Sequence, residues 1–130
     1  MAIRVVRLGT ARAKGEGVRL GTVRCPPRGV RKSDYAKRDF YDVWLPDLAP
    51  GAALFSWFVK RTEDGKAWAR FAKQYSREMR APAADRLLEL LARLSHYTNF
   101  SVGCYCENQA RCHRSILRRL LAEKGAKIIR

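Results

Sequence analysis

The chain has 130 residues, 47% hydrophobic and 30% charged, which suits one globular domain over residues 1–130 and excludes a disordered chain. No apolar run approaches the roughly 20 residues of a membrane span. Charges inside the first eight residues exclude a signal peptide, so a cytoplasmic protein is expected. The net charge of +15 is uneven: residues 1–40 carry +8, residues 41–107 carry +1 and residues 108–130 carry +6. If the two basic ends meet in the fold, they form one positive surface for phosphates, nucleotides or nucleic acid.

In chain order, the β-branched segment from Ile3 to Leu8 predicts a strand, and Val18–Arg24 a second short one. Cys25-Pro26-Pro27-Arg28-Gly29 must be an irregular turn, because two prolines exclude a helix interior and a central strand. Ser33 is placed to cap a short helix. Helices are expected over Pro50–Lys60, over Gly65–Arg80 with Trp68, Phe71, Tyr75 and Met79 on one face, and from Pro82 with Leu87, Leu88, Leu91 and Leu94 as its stripe. Asn99–Cys106 predicts a strand and Cys112–Lys124 an amphipathic helix. Gly125 is a natural C′ residue, and residues 126–130 can form a closing strand. Strand, helix, glycine and strand make a βαβ unit, so the expected fold is a small three-layer α/β domain around a mostly parallel sheet.

The Cys104–Arg114 turn is where chemistry concentrates. Cys25, Cys104, Cys106 and Cys112 are too few and too clustered for a secreted disulfide framework, which leaves thiols, metal ligands or redox groups. Cys104 and Cys106 are two apart and share one face of an extended strand. The next helix brings its N-terminus to the same place, and Arg111, His113 and Arg114 add cations within a turn. This pattern binds a phosphate or carboxylate and lowers the pKa of a nearby thiol. Cys112 ranks first as the activated thiol and Cys106 second, with Glu107 placed to orient His113 or carry a proton. Arg24, Arg28 and Arg31 can join the anion site if their loop folds back over the turn. His96 and Cys25 are assigned structural or surface roles.

Three sharper patterns are weaker. Cys104, Cys106, Cys112 and His113 are all zinc-ligand types, but the spacing lacks the paired C-x2-C, and adjacent helical residues point roughly 100° apart. No metal is therefore assigned. Cys112 to Arg118 matches C-x5-R formally, yet its intervening residues carry a helix's apolar face. A Cys-x-x-Cys redox pair is absent, although a Cys106–Cys112 disulfide under oxidation stays open.

Cys106-Glu107 followed by Cys112-His113-Arg114 and an apolar helix resembles the signature of the YeaO-like family, catalogued as domain of unknown function 488. Pro27-Arg28-Gly29-Val30 and Lys32 resemble that family's Trp-Pro-Arg-Gly-Val-x-Lys motif, with Pro26 standing where the family has Trp. Trp44 through Pro50 and the Trp68–Tyr75 spacing fit as well, so the resemblance runs over nearly the whole chain. It implies a compact α/β domain and names neither reaction nor cofactor. Three functions follow as expectations. The first is an enzyme on a phosphate-bearing small molecule or nucleotide, with Arg28 and Arg114 on the anion and Cys112, Cys106, Glu107 or His113 as nucleophile or acid–base group. The others are a nucleic-acid-binding module and a thiol sensor.

Overall fold

The computed structural model describes residues 1–106, 108 and 111–129. Four strands, Ile3–Arg7 (β1), Val18–Gly21 (β2), Val43–Trp44 (β3) and Phe100–Cys104 (β4), form one sheet in the order β1-β4-β2-β3, with every pairing parallel. Among the described residues, four α-helices, Ala52–Val59 (α1), Gly65–Glu78 (α2), Pro82–Leu94 (α3) and His113–Glu123 (α4), supply the helical middle and the C-terminal crossover. Asp64 starts α2 by accepting the Lys66 N–H at 2.9 Å, and Pro82 opens α3 where a missing N–H costs nothing.

β4 lies between β1 and β2 and is buried along its whole length. Its alternate residues part company. Phe100 and Val102 join Ile3, Leu48, Phe71, Tyr75, Leu88, Leu91, Ile116, Leu117 and Leu121 in the main core, which ties the helices to one face. Each such large apolar side chain contributes about 1.5–3 kcal/mol when fully buried. Ser101 of β4 faces the other way, and there the cover is irregular chain carrying Glu16, which accepts the Ser101 hydroxyl at 2.7 Å. The three layers are thus helix, sheet and loop.

Some boundaries differ from the sequence expectation. Ser33 lies inside a 3-10 turn, Lys32–Asp34, whose N-cap is Arg31 and has no side-chain cap bond. Leu94 is exposed beyond the point where α3 leaves the core. The expected closing strand is a single parallel bridge, Ile3 to Ile128, with the Ile3 N–H donating to Lys127 O and the Ile129 N–H to Ile3 O. Gly125 takes the left-handed conformation, φ +85°, that ends α4 and turns the chain toward β1. The two chain ends therefore meet at β1. Among the described residues no helix is long and apolar enough to cross a membrane.

Candidate functional site

Because all four strands run parallel, their carboxyl ends, at Arg7, Gly21, Trp44 and Cys104, lie on one edge of the sheet. That is the side on which open α/β sheets bind ligands. β4 stops at Cys104, not at Cys106, so the two thiols do not share a strand face: Cys104 is buried and Cys106 exposed. They converge for another reason. The chain returns to the same point at Cys112, the N-cap of α4, and the three Sγ atoms all lie within 4.8 Å of one another. Cys104 Sγ and Cys112 Sγ stand 2.6 Å apart.

Cys112 has extended backbone (φ −120°, ψ 148°), so Cys112 and His113 are not successive helical positions and the 100° argument does not separate them. Cys112 Sγ stands 3.9 Å from His113 Nδ1. His113 Nε2 lies 2.7 Å from the Thr22 carbonyl, an obligate acceptor, so Nε2 carries the proton and Nδ1 keeps its lone pair. Burial lowers the His113 pKa to about 4, which leaves the imidazole neutral at pH 7. The Tyr75 ring meets it edge-on with centroids 5.5 Å apart.

The three thiols are not equivalent. Hydrogen bonds from Cys104 and Cys112 hold the Cys106 thiol well below its ordinary range, against the opposing effect of burial and with help from the Arg114 charge. Cys104 moves up, because it donates to Cys106 and Cys112 and is also buried. For Cys112, the bond from Cys104 pulls down, but donation to Cys106 and burial prevail and push it to about 11. The hydrogen bonds thus favour the thiolate at Cys106 and disfavour it at Cys112, the opposite direction to the expectation from the helix N-terminus alone. A helix N-terminus lowers a thiol's pKa only if burial and neighbouring thiols do not outweigh it.

Arg114 is 3% exposed, yet it is a guanidinium. Its Nη2 donates to the Cys106 carbonyl, and its Nε has no partner among the described residues. A buried cation with a donor unanswered among the described residues thus stands against the Cys106 carbonyl.

The other predicted cations go elsewhere. Arg24 donates to the carbonyls of Pro46, Ala49 and Pro50 and holds the segment before α1. Arg28 is exposed on its turn. Arg31 is exposed and pairs with Asp34. Arg111 reaches the Thr62 carbonyl at 3.4 Å, and Arg118 donates to Ile129 O, away from Cys112. Glu107 lies outside the described residues. Cys25 has an exposed thiol, and its carbonyl accepts the Tyr105 hydroxyl at 3.1 Å. His96 Nε2 meets Gly125 O at the end of α4.

Sequence reasoning missed two participants. Thr22 fixes the His113 tautomer through a backbone carbonyl 91 positions away, which leaves no mark in residue type. Tyr41 packs with Leu8, Val23, Cys104 and Cys112, and its buried hydroxyl has no partner among the described residues. Tyr41 also walls a cleft of about 500 Å³ shared with Pro26, Lys32, Tyr35 and Trp44. The Trp44 ring is held in place by its Nε1 bond to Val23 O at 2.8 Å.

In chemical terms the edge offers one exposed thiol, two buried thiols, a neutral imidazole and a buried guanidinium. The sulfurs and Nδ1 are donors a thiophilic metal accepts. A family model described as the active DUF488-N3 subclade matches residues 3–125. No curated protein and no solved structure gives a significant match. The matched span includes both the Pro27-Arg28-Gly29 turn and the Cys104–Arg114 turn, and the chain belongs to the DUF488 family, which includes the YeaO-like proteins.

Proposed function

We propose that the protein is a thiol-dependent enzyme acting on a phosphate-bearing small molecule, a nucleotide being the class that best fits an aromatic cleft beside a cation. The observation that carries this reading is the Cys106–Arg114 pairing. The exposed thiol of the cluster sits on a loop whose own carbonyl is bound by a buried guanidinium with a donor to spare. The substrate anion takes the α4 N-terminus and Arg114. Its organic part lies against Trp44 and Tyr35 in the neighbouring cleft. Cys106 Sγ forms a bond to the electrophilic centre while the leaving group departs with its electron pair. Water then cleaves the thio-intermediate and restores the thiol.

The test is a thermal-shift panel of nucleotides and phosphorylated metabolites on wild-type, Arg114→Lys and Cys106→Ser proteins. A ligand at a hundred times its Kd should stabilise the wild type by about 2.7 kcal/mol. That shift should vanish in Arg114→Lys and persist in Cys106→Ser, which loses turnover alone. No shift from any member of the panel, or an undiminished shift in Arg114→Lys, would remove Arg114 from the anion site.

A further inference from the structure

We infer that Cys104, Cys106 and Cys112 bind one thiophilic d10 metal ion, zinc being the reference case, with His113 Nδ1, 3.9 Å from Cys112 Sγ, as the fourth donor. The inference does not rest on the catalytic reading. It rests on where three sulfurs stand, with a ring nitrogen beside one of them.

The C-x-C-x5-C-H spacing looks unpromising because zinc modules usually draw paired cysteines from one short turn. Here the fold does that work with three separate elements. Cys104 ends β4, Cys106 begins the following loop, and Cys112 is the extended N-cap of α4. Their Sγ atoms lie mutually within 4.8 Å. A tetrahedral ion with Zn–S of about 2.3 Å holds its sulfurs about 3.8 Å apart. Cys104 and Cys112, at 2.6 Å, have to separate by about 1 Å to admit it. The imidazole is already oriented. Metal-bound histidines typically donate their other ring N–H to a carbonyl, as His113 Nε2 does to Thr22, and the free Nδ1 is 3.9 Å from Cys112 Sγ.

Charge supports the same assignment. Three thiolates around a divalent ion sum to −1, and a monovalent ion leaves −2. The α4 N-terminus and the Arg114 guanidinium, buried and with an unpartnered Nε among the described residues, supply the opposite sign. A Cys104–Cys112 disulfide is the rival chemistry for the close pair, but it gives neither Cys106 nor the imidazole a part. Metal ligation uses all four groups. A metal-bound Cys106 is not a free nucleophile, so metal-loaded and metal-free protein are two distinct states.

The experiment uses the full chain, reduced and stripped with a chelator, then titrated with Co2+ and afterwards Zn2+. Expected are one Co2+ per chain, thiolate-to-cobalt charge-transfer absorption, tetrahedral ligand-field bands, and loss of all three on adding one equivalent of Zn2+. Cys104→Ser should weaken the charge transfer, and Cys25→Ser should leave it intact. In wild-type protein, where no variant has to fold, Zn2+ at a hundred times its Kd should slow Cys106 alkylation about a hundredfold and leave Cys25 unchanged. Octahedral cobalt without charge transfer, Cys106 alkylation indifferent to Zn2+, or a Cys104–Cys112 disulfide in purified protein that takes up no metal after reduction would each overturn the assignment. Any of these leaves the nucleotide shifts of metal-free protein to decide the catalytic reading separately.

Discussion

Glu16 shows how little a residue's type says about its environment. It lies between Gly15 and Gly17 in a loop, where a carboxylate is ordinarily solvated, yet it is 3% exposed. Arg19, fully buried, donates Nε and Nη2 to it at 2.8 and 3.0 Å, and Ser101 and the Ala13 N–H complete its shell. Burial acts to raise the carboxyl, but these bonds prevail and hold its pKa at about 2. A depressed carboxyl stabilises the fold above its unfolded pKa. That stability is lost as pH falls from the ordinary value of 4.5 through about 2. Urea titrations from pH 7 downward should therefore show a loss of about 3 kcal/mol concentrated below pH about 4.5. In Glu16→Gln that segment should flatten; an unchanged slope would place the titrating group elsewhere. The thiols teach the same lesson. Their identity and clustering were legible in the sequence, but which one is activated depends on burial and on who donates to whom.

At the scale of elements, the strand-turn-helix that carries the site was legible because β4 is a short, wholly buried strand and α4 keeps an apolar face at helical spacing. The partners of that unit were not. Gly21 ends β2 against the Tyr41 ring so closely that a Cβ would overlap ring atoms. Gly21→Ala should thus cost about 1–3 kcal/mol through overpacking. The check is a lower denaturant midpoint with an unchanged slope. A midpoint equal to wild type would show that Tyr41 moves freely. Because Tyr41 also packs on Cys104 and Cys112, the same substitution should accelerate alkylation of those two buried thiols. The C-terminal segment illustrates the opposite error. A closing strand was expected over residues 126–130, but among the described residues the segment forms only the bridge from Ile128 to Ile3.

Across the whole molecule, the basic first and last segments meet at β1, as a shared positive surface requires. With a net charge of +15, binding to random duplex DNA should be detectable at low salt and fall steeply as salt rises. Fluorescence anisotropy across a salt series measures this. Binding that persists at physiological salt would favour the nucleic-acid module over the small-molecule enzyme.

The sequence alone determined the α/β class, the main helices, the strands at Ile3, Val18 and Phe100, the uneven charge and the turn in which cysteines and cations cluster, but not the short strand Val43–Trp44. Those properties are written in local periodicity and composition. Tertiary structure alone decided that β4 is central, that Cys106 is the exposed thiol of the cluster, that Arg24 and Arg111 serve other carbonyls, and that Arg114 is buried against the Cys106 carbonyl. Each of these depends on burial or on a partner distant in the chain, such as Thr22 for His113, and local pattern carries no record of either. The Cys104–Arg114 turn was visible from the start as a cluster of reactive residue types. Folding turned that cluster into three sulfurs around one point, with an imidazole beside one of them.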